Sequence, residues 1–152
     1  MDFYFVRHGE AEPEHLDRRR PLTSDGRRGV EKIARAAAAR RLKIAEILHS
    51  DKLRAKETAE ILARFLSPAQ GVREISGLSP EDDPLVAKAE LEAADECLML
   101  VGHLPHLSRL AALLLVDDSE KTVVDFAPAT MVCLARAQGT WRLGWTLSPE
   151  DA

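Results

Sequence analysis

The chain has 152 residues, of which 45% are hydrophobic and 30% charged, and its formal net charge is −4 at pH 7. This length fits one domain with a sizeable core, and the composition excludes a disordered chain. The net negative charge argues against a nucleic-acid-binding protein, which needs a basic face.

Membrane and secretory signals are absent from the sequence pattern. The longest uninterrupted apolar run, Leu110 to Val116, is far shorter than the ~20 residues that span a bilayer. The N-terminus opens directly into a predicted strand, without the basic and apolar regions of a signal peptide. Cys97 and Cys133 lack metal-type or redox-type spacing, which is typical of buried free thiols in a reducing compartment. We therefore expect a cytoplasmic protein with neither a membrane nor a nucleic acid as its partner.

The first predicted element is a short strand over residues 2–6, rich in aromatic and β-branched side chains. It ends abruptly at Arg7 and His8, and Gly9 permits a sharp exit. Open α/β sheets bind ligands just outside the carboxyl ends of their strands. The pattern thus predicts a cation and an imidazole beside a ligand site, although a strand ending in polar residues would look the same.

Helices and strands alternate along the rest of the chain. In order, we predict a helix whose apolar positions run from Val30 to Ala38, a strand over 44–49, a helix over 52–66, a strand over 72–75, a helix over 85–94, a strand over 98–101, a helix opened by Pro105, and two or three strands between 122 and 147. Gly26 and Gly29 in the first of these helices suggest a close approach of the backbone to another segment. The alternation, without repeats or linkers, predicts a three-layer α/β/α sandwich with a mostly parallel central sheet.

Two of these strands end in histidine. His8 follows the first strand and His103 follows the strand over 98–101, so in a parallel sheet both imidazoles reach the same edge. The strand ending near Ser50 leads into a helix whose first turn holds Arg54, and a helix N-terminus favours an anion. Arg7 and Arg54 can each bind oxyanions with two N–H groups. The set predicts a pocket for a phosphoryl group.

Four ordered motifs carry a resemblance to a known family. They are Arg7-His8-Gly9-Glu10, Arg20-Pro21-Leu22-Thr23 with Gly26, the segment from Ser50 to Ala59 with its Arg-Ala and Thr-Ala pairs, and Val101-Gly102-His103-Leu104-Pro105. They resemble the motifs of the histidine phosphatase superfamily, which contains phosphoglycerate mutases and many phosphatases. The length and the short segment between residues 75 and 98 are similar to those of the SixA-type phosphohistidine phosphatases.

The resemblance implies a phosphoglycerate mutase-like fold, with residues 1–152 forming a single histidine phosphatase domain with a minimal lid insertion. It implies that His8 is the nucleophile and becomes covalently phosphorylated, while Arg7, Arg54 and His103 hold the phosphate. An imidazole attacks phosphorus only when it is neutral, so its other nitrogen should donate to a fixed acceptor. We expect a hydrolase that needs neither a metal nor another cofactor.

Three further residues are candidates for substrate binding. Arg20 matches the family's R-P-L-T arginine, although it could also be a solvated loop charge, which is how we interpret Arg18 and Arg19. Gly9 and Ser50 are candidates as well, but turn geometry alone explains Gly9, and capping of the next helix explains Ser50.

The remaining histidines give no metal site. His103 and His106 are three residues apart, but a third ligand at plausible spacing is missing. We expect His106 at the surface or rim, His49 in a structural position and His15 in solvent.

The candidates for a general acid are Glu81 and Asp82. They lie in an acidic loop over 76–84, where larger members of the superfamily place a proton donor. Acids before a helix are equally well explained as N-terminal capping.

The expected activity is removal of phosphate from a histidine of a protein substrate, such as a phosphocarrier or phosphorelay domain. One alternative is a phosphatase of small metabolites, and another is a phosphate-recognition module without catalysis. A mutase is disfavoured because it needs an enclosed pocket to retain its intermediate.

Overall fold

A computed structural model describes all residues from Met1 to Ala152. The chain forms six strands and four helices. Their bounds are β1 (Asp2–Arg7), α1 (Ser24–Ala39), β2 (Glu46–His49), α2 (Leu53–Leu66), β3 (Val72–Glu74), α3 (Pro84–Ala93), β4 (Leu98–Gly102), α4 (His106–Val116), β5 (Met131–Ala137) and β6 (Thr140–Leu147). The predicted helices and strands agree with these bounds to within about two residues, and the tail contains two of the two or three strands predicted there, beginning at Met131.

The strands form one sheet in the order β3-β2-β4-β1-β5-β6. The pairs β1–β4, β2–β3 and β2–β4 are parallel, whereas β5 runs antiparallel to both β1 and β6. The predicted mostly parallel sheet is therefore confirmed. Strand β1 lies inside the sheet, which explains why its sequence is apolar on both faces.

The helices cover both faces of the sheet. Helices α1 and α2 pack on one face with Tyr4 and Val6 of β1. On the other face, α3 and α4 pack with Phe3 and Phe5. Alternate side chains of one strand thus enter two separate cores, which gives the three predicted layers.

The start of α1 is pressed against the loop that follows β1. Thr23 caps the helix, and its side-chain oxygen accepts the N–H of Gly26 at 2.9 Å. A Cβ atom on Gly26 would lie 2.0 Å from the carbonyl oxygen of Glu10, so only glycine fits there. The close approach predicted from Gly26 is confirmed, whereas a Cβ on Gly29 would meet nothing closer than 3.9 Å.

Two smaller features complete the description. None of the helices combines the length and the apolar character needed to cross a membrane. Both cysteines are unpaired; Cys133 is buried as expected, but Cys97 is only partly buried because it precedes β4 near the molecular surface.

Candidate active site

The two predicted histidines meet at the carboxyl edge of the sheet. Strands β1 and β4 pair in parallel with Arg7 opposite Gly102, so each following residue emerges at the same level. The N–H of His8 donates to the carbonyl of Gly102 at 3.0 Å. The ring centroids of His8 and His103 are 4.9 Å apart, and both side chains are buried.

One hydrogen bond orients the His8 ring. Its Nδ1 lies 2.7 Å from the carbonyl oxygen of Gly9, so Nδ1 carries the proton and donates it. Nε2 is left without a protein hydrogen bond and keeps its lone pair. Burial lowers the pKa of His8 to about 4, aided by the charges of Arg54, Arg7 and Arg20 and opposed by the Gly9 carbonyl. The ring is therefore neutral at pH 7, as nucleophilic attack requires.

A threonine hydroxyl fixes the loop after β1 to helix α2. The N–H of Gly9 donates to Oγ1 of Thr58 at 3.1 Å, and this hydroxyl donates to the carbonyl of Arg54 at 2.8 Å. A Cβ on Gly9 would lie 2.7 Å from Cγ2 of Val30, so the loop also needs glycine for space. Both polar backbone groups of Gly9 are engaged within the protein, and its contact with substrate stays a prediction.

Three arginines surround the histidine pair. Arg7 donates one N–H to the carbonyl of Phe126 at 2.8 Å, while its Nε and that of Arg54 are buried without a protein partner. Burial lowers the pKa of both guanidinium groups, and for Arg54 the charge of Arg20 adds to this effect. Cations held close together, with N–H groups unused, form a site prepared for an anion.

Arg20 is held at this site by its backbone and by one side-chain bond. Its φ is 50°, a left-handed value that is uncommon outside glycine. Its Nε donates to the carbonyl of Glu12 at 2.9 Å, which leaves the outer nitrogens of the guanidinium free. The predicted alternative of a freely solvated loop charge does not describe this side chain, which is only partly exposed.

His103 is positioned by Ser50. Nε2 of His103 lies 2.6 Å from Oγ of Ser50, which also accepts the N–H of Lys52 at 3.2 Å. In the neutral ring the hydroxyl donates to Nε2, so Nδ1 carries a proton that has no protein acceptor. The pKa of His103 is lowered to about 2, mainly by burial and to a smaller extent by His8 and Arg54.

Ser50 is completely buried. The prediction that Ser50 caps α2 is wrong, because the N-cap residue is Lys52 and no side chain caps this helix. Contact between Ser50 and substrate stays a prediction; in the structure its hydroxyl contacts His103 instead.

The expectation for His106 is wrong. This residue is fully buried, and neither of its ring nitrogens has a hydrogen-bond partner. It is the first residue of α4 and lies one turn before the buried Leu110, on the same face of the helix. That spacing was the available sequence signal. His49 is buried with Nδ1 2.7 Å from the Ser50 carbonyl, and His15 is exposed, both as expected.

The acidic loop is used mainly for local hydrogen bonding. Asp83 caps α3 by accepting the N–H of Leu85 at 3.0 Å, and Asp82 accepts the N–H of Ser79 at 2.9 Å. Glu81 is exposed and bonds to Arg109 at 3.2 Å. Capping, predicted as the alternative, is therefore present, and a proton-donating role for Glu81 or Asp82 stays a prediction.

Two acids that the sequence reasoning passed over also shape the site. Glu57 accepts the N–H of Leu22 at 2.8 Å and pairs with Arg27, which holds the loop before α1 against α2. Asp51 accepts the hydroxyl of Ser79 at 3.1 Å and lines a pocket together with Asp82. No group of three or more His, Cys, Asp and Glu side chains is placed to hold a metal ion.

Comparison with known proteins now identifies the family. The model of the histidine phosphatase superfamily (branch 1) matches residues 3–79, which include β1, α1, β2 and α2 with the motifs around His8 and Arg54. The chain belongs to the histidine phosphatase superfamily. It is accordingly a hydrolase that acts on phosphate esters.

Individual relatives extend the match to the whole chain. An uncharacterized protein of Picosynechococcus sp. is 39% identical over 119 residues, covering 73% of this chain and 71% of the relative. The phosphohistidine phosphatase SixA of Escherichia coli K12 is 26% identical over 154 residues, covering 98% and 94%. A solved structure of the protein histidine phosphatase SixA complexed with tungstate has a TM-score of 0.88 at 24% identity, covering 98% of this chain and 97% of that one. The predicted SixA-type resemblance and phosphoglycerate mutase-like fold are confirmed.

Proposed function

We propose that this protein removes phosphate from a phosphorylated histidine of a protein substrate, through a covalent phosphohistidine on His8. The observation that carries the proposal is the state of His8: a neutral ring, with Nδ1 bonded to the Gly9 carbonyl and Nε2 free. The likeness to the phosphohistidine phosphatase of Escherichia coli supports the choice of substrate.

In the first chemical step, Nε2 of His8 attacks phosphorus and the bond between phosphorus and the substrate imidazole breaks. Arg7 and Arg54 hold the equatorial oxygens, where their paired N–H groups spread the charge of a loose transition state. His103 adds a donor through Nδ1, whose proton has no protein acceptor. The leaving imidazole departs neutral if its ring is protonated beforehand.

In the second step, water attacks the phosphohistidine on His8. The N–P bond breaks, inorganic phosphate leaves, and the imidazole returns to its neutral form. The Gly9 carbonyl keeps Nδ1 protonated throughout, and the hydroxyl of Ser50 keeps the His103 ring in place. Gly9, Ser50 and Thr58 thus act as positioning residues.

A protein substrate suits the shape of the site. No helix is inserted between β3 and α3, which supports the proposal of a single domain over residues 1–152 with a minimal lid. Arg20 and Arg54 line an open groove at the surface. A side chain presented by another protein could reach His8 from this direction.

The nucleophile can be tested by covalent labelling. Brief reaction with 32P-labelled phosphohistidine protein, quenched in alkali, should leave label on the enzyme that acid then releases, as expected of an N–P bond. His8→Ala should remove the label, while His15→Ala is a matched control because His15 is exposed. Equal labelling of wild type and His8→Ala would overturn the assignment.

The substrate class can be tested with a panel and with amide substitutions. A phosphohistidine-bearing carrier protein should be hydrolysed better than sugar or nucleotide phosphates. Glu81→Gln and Asp82→Asn should change its turnover only modestly, because a protonated imidazole needs no separate acid, whereas alkoxide departure gains ~10²–10⁴-fold from one. Good activity on sugar phosphates, with a loss of about 10²-fold in one amide variant, would instead indicate a small-metabolite phosphatase.

A further inference from the structure

Cationic side chains line a groove that runs outward from the phosphate site. Five of its eight lining residues are basic and two are acidic, in a chain whose net charge is −4. The lining comprises Glu14, Arg18, Arg19, Arg20, Asp51, Lys52, Leu53 and Arg54. Positive charge is thus concentrated at one place on a protein that is acidic as a whole.

The loop that carries most of these cations is held in a fixed shape. Its two ends are joined by a β-bridge between Ala11 and Leu22 and by a 2.8 Å bond from the Glu12 N–H to the Pro21 carbonyl. Within the loop, the N–H of Arg20 donates to the carbonyl of Asp17 at 3.0 Å. A loop ordered in advance loses little conformational entropy when a partner binds it.

The loop also presents an apolar and a cationic side chain at its surface. Leu16 is 69% exposed. Arg18 is exposed and forms no ion pair, whereas Arg19 is paired with Asp17 at 3.1 Å. Arginine is enriched at protein-binding surfaces, and the exposed Leu16, two residues earlier in the loop, offers apolar area that a partner can cover.

The groove shares two of its arginines with the phosphate site. Arg20 and Arg54 line the groove and also lower the pKa of His8, so a phosphate group bound at His8 would be used to neutralise these two charges. Arg18 and Lys52 line the same groove; Arg18 forms no ion pair, and Lys52 forms only an exposed one with Asp51 at 3.8 Å. They can bind additional negative charge that the substrate carries beside its phosphohistidine.

We propose that Arg18, Arg19 and Lys52, here called the basic rim, bind the acidic face of the phosphohistidine-bearing protein, while Leu16 packs against it. The proposal rests on the proposed function and specifies the partner. Its phosphohistidine is flanked by Asp or Glu side chains, with a small apolar area to cover Leu16. Because complementary charge acts mainly on encounter, the basic rim should raise kcat/KM more than kcat.

The test uses synthetic peptides that carry one phosphohistidine, prepared with phosphoramidate, and differ only in their flanks. The flanks are glutamate, glutamine or lysine, and phenyl phosphate serves as a substrate without flanks. Wild type should prefer the glutamate peptide over the lysine peptide by about tenfold in kcat/KM at low salt, from one or two exposed charge pairs. The preference should shrink between about 0.02 M and 0.5 M ionic strength, as screening predicts.

Arg18→Glu provides the decisive variant because Arg18 lies outside the phosphate site. It should lower kcat/KM on the glutamate peptide by about 3- to 10-fold, leave phenyl phosphate unchanged and raise activity on the lysine peptide. Arg142→Glu is the matched control: it makes the same charge change on β6, where Arg142 pairs with Ala135 opposite the start of β1, away from the carboxyl edge. Arg142→Glu should behave as wild type.

The outcomes separate the two proposals. Hydrolysis of all three peptides at equal rates, or equal effects of Arg18→Glu and Arg142→Glu, would overturn the basic rim and leave the proposed function standing. Failure to hydrolyse any peptide, with activity on small phosphate esters, would overturn both. Binding to phosphatidylserine vesicles that Arg18→Glu abolishes, without an effect on peptides, would assign the surface to a membrane and overturn a protein partner.

Discussion

Acid should weaken the fold in a way that can be traced to His8. The imidazole of a histidine in an unfolded chain takes up a proton near pH 6.5, but in the folded protein the pKa of His8 is about 4. Above pH 7.5 neither state is protonated, so the group contributes nothing to the pH dependence. As the pH falls below 6.5, the unfolded chain binds a proton that the folded chain does not, and stability declines until the pH reaches 4.

The magnitude follows from this difference in pKa. Between pH 8 and pH 5, His8 should lower the free energy of unfolding by about 2 kcal/mol, rising to about 3 kcal/mol below pH 4. Because the side chain is buried, solvent screening does not reduce this value greatly. His103, whose pKa is lowered in the same direction, adds a loss of the same sign.

Urea unfolding at pH 8 and pH 5 measures the effect. Titrating groups remote from His8 are common to wild type and His8→Asn, so their contributions cancel when the two pH-dependent losses are compared. The loss should be smaller in His8→Asn by about 2 kcal/mol, whereas His15→Asn, at an exposed site, should lose as much as wild type. If His8→Asn and wild type lost the same amount, His8 would have an ordinary pKa, and burial would not be what keeps the nucleophile neutral.

Three other predictions concern the phosphate site. Arg54→Lys should lower kcat by about 10²-fold, because a lysine ammonium cannot reproduce the two parallel N–H donors of the planar guanidinium. A loss below threefold would contradict this, and Arg142→Lys is the control. Ser50→Ala should lower kcat by about tenfold or more with little change in the circular dichroism spectrum, because leaving Nε2 of the buried His103 ring without its hydrogen-bond partner costs about 1–3 kcal/mol. Partial rescue by Ser50→Thr would support positioning through the hydroxyl, and unchanged kcat would exclude it. Activity should survive exhaustive chelation, because the arginines neutralise the phosphate and His103 donates a hydrogen bond to it. Loss on chelation, with recovery on adding Mg²⁺ or Zn²⁺, would show that a metal takes part.

The sequence was sufficient to predict the positions of the two histidines. A short apolar strand followed by a polar residue is a local signal, and parallel strands place their ends at one edge. The pairing of Arg7 with Gly102 produces the proximity expected from that rule alone. A glycine early in a helix weakens the helix, so its presence at position 26 indicated that another segment comes too close for a side chain.

Contacts between distant segments could not be predicted in this way. The bond from Gly9 to Thr58 joins residues 49 apart, and that from Ser50 to His103 joins residues 53 apart. Neither a threonine inside a helix nor a serine after a strand reveals its partner locally. His106 was misjudged because histidine is polar, although its spacing from Leu110 places it on the buried face of α4.

The hydroxyl of Thr58 has a consequence for the timing of the reaction. It ties the loop that follows His8 to the first turn of α2, which carries Arg54, so two sides of the phosphate pocket are hydrogen-bonded to one another. Enzymes that close a lid over their substrate wait microseconds to milliseconds for that motion. Here the walls are already joined before a substrate arrives. We therefore expect a phosphate mimic such as vanadate to bind in a single kinetic phase, and turnover to be paced by the arrival of the partner and the departure of phosphate.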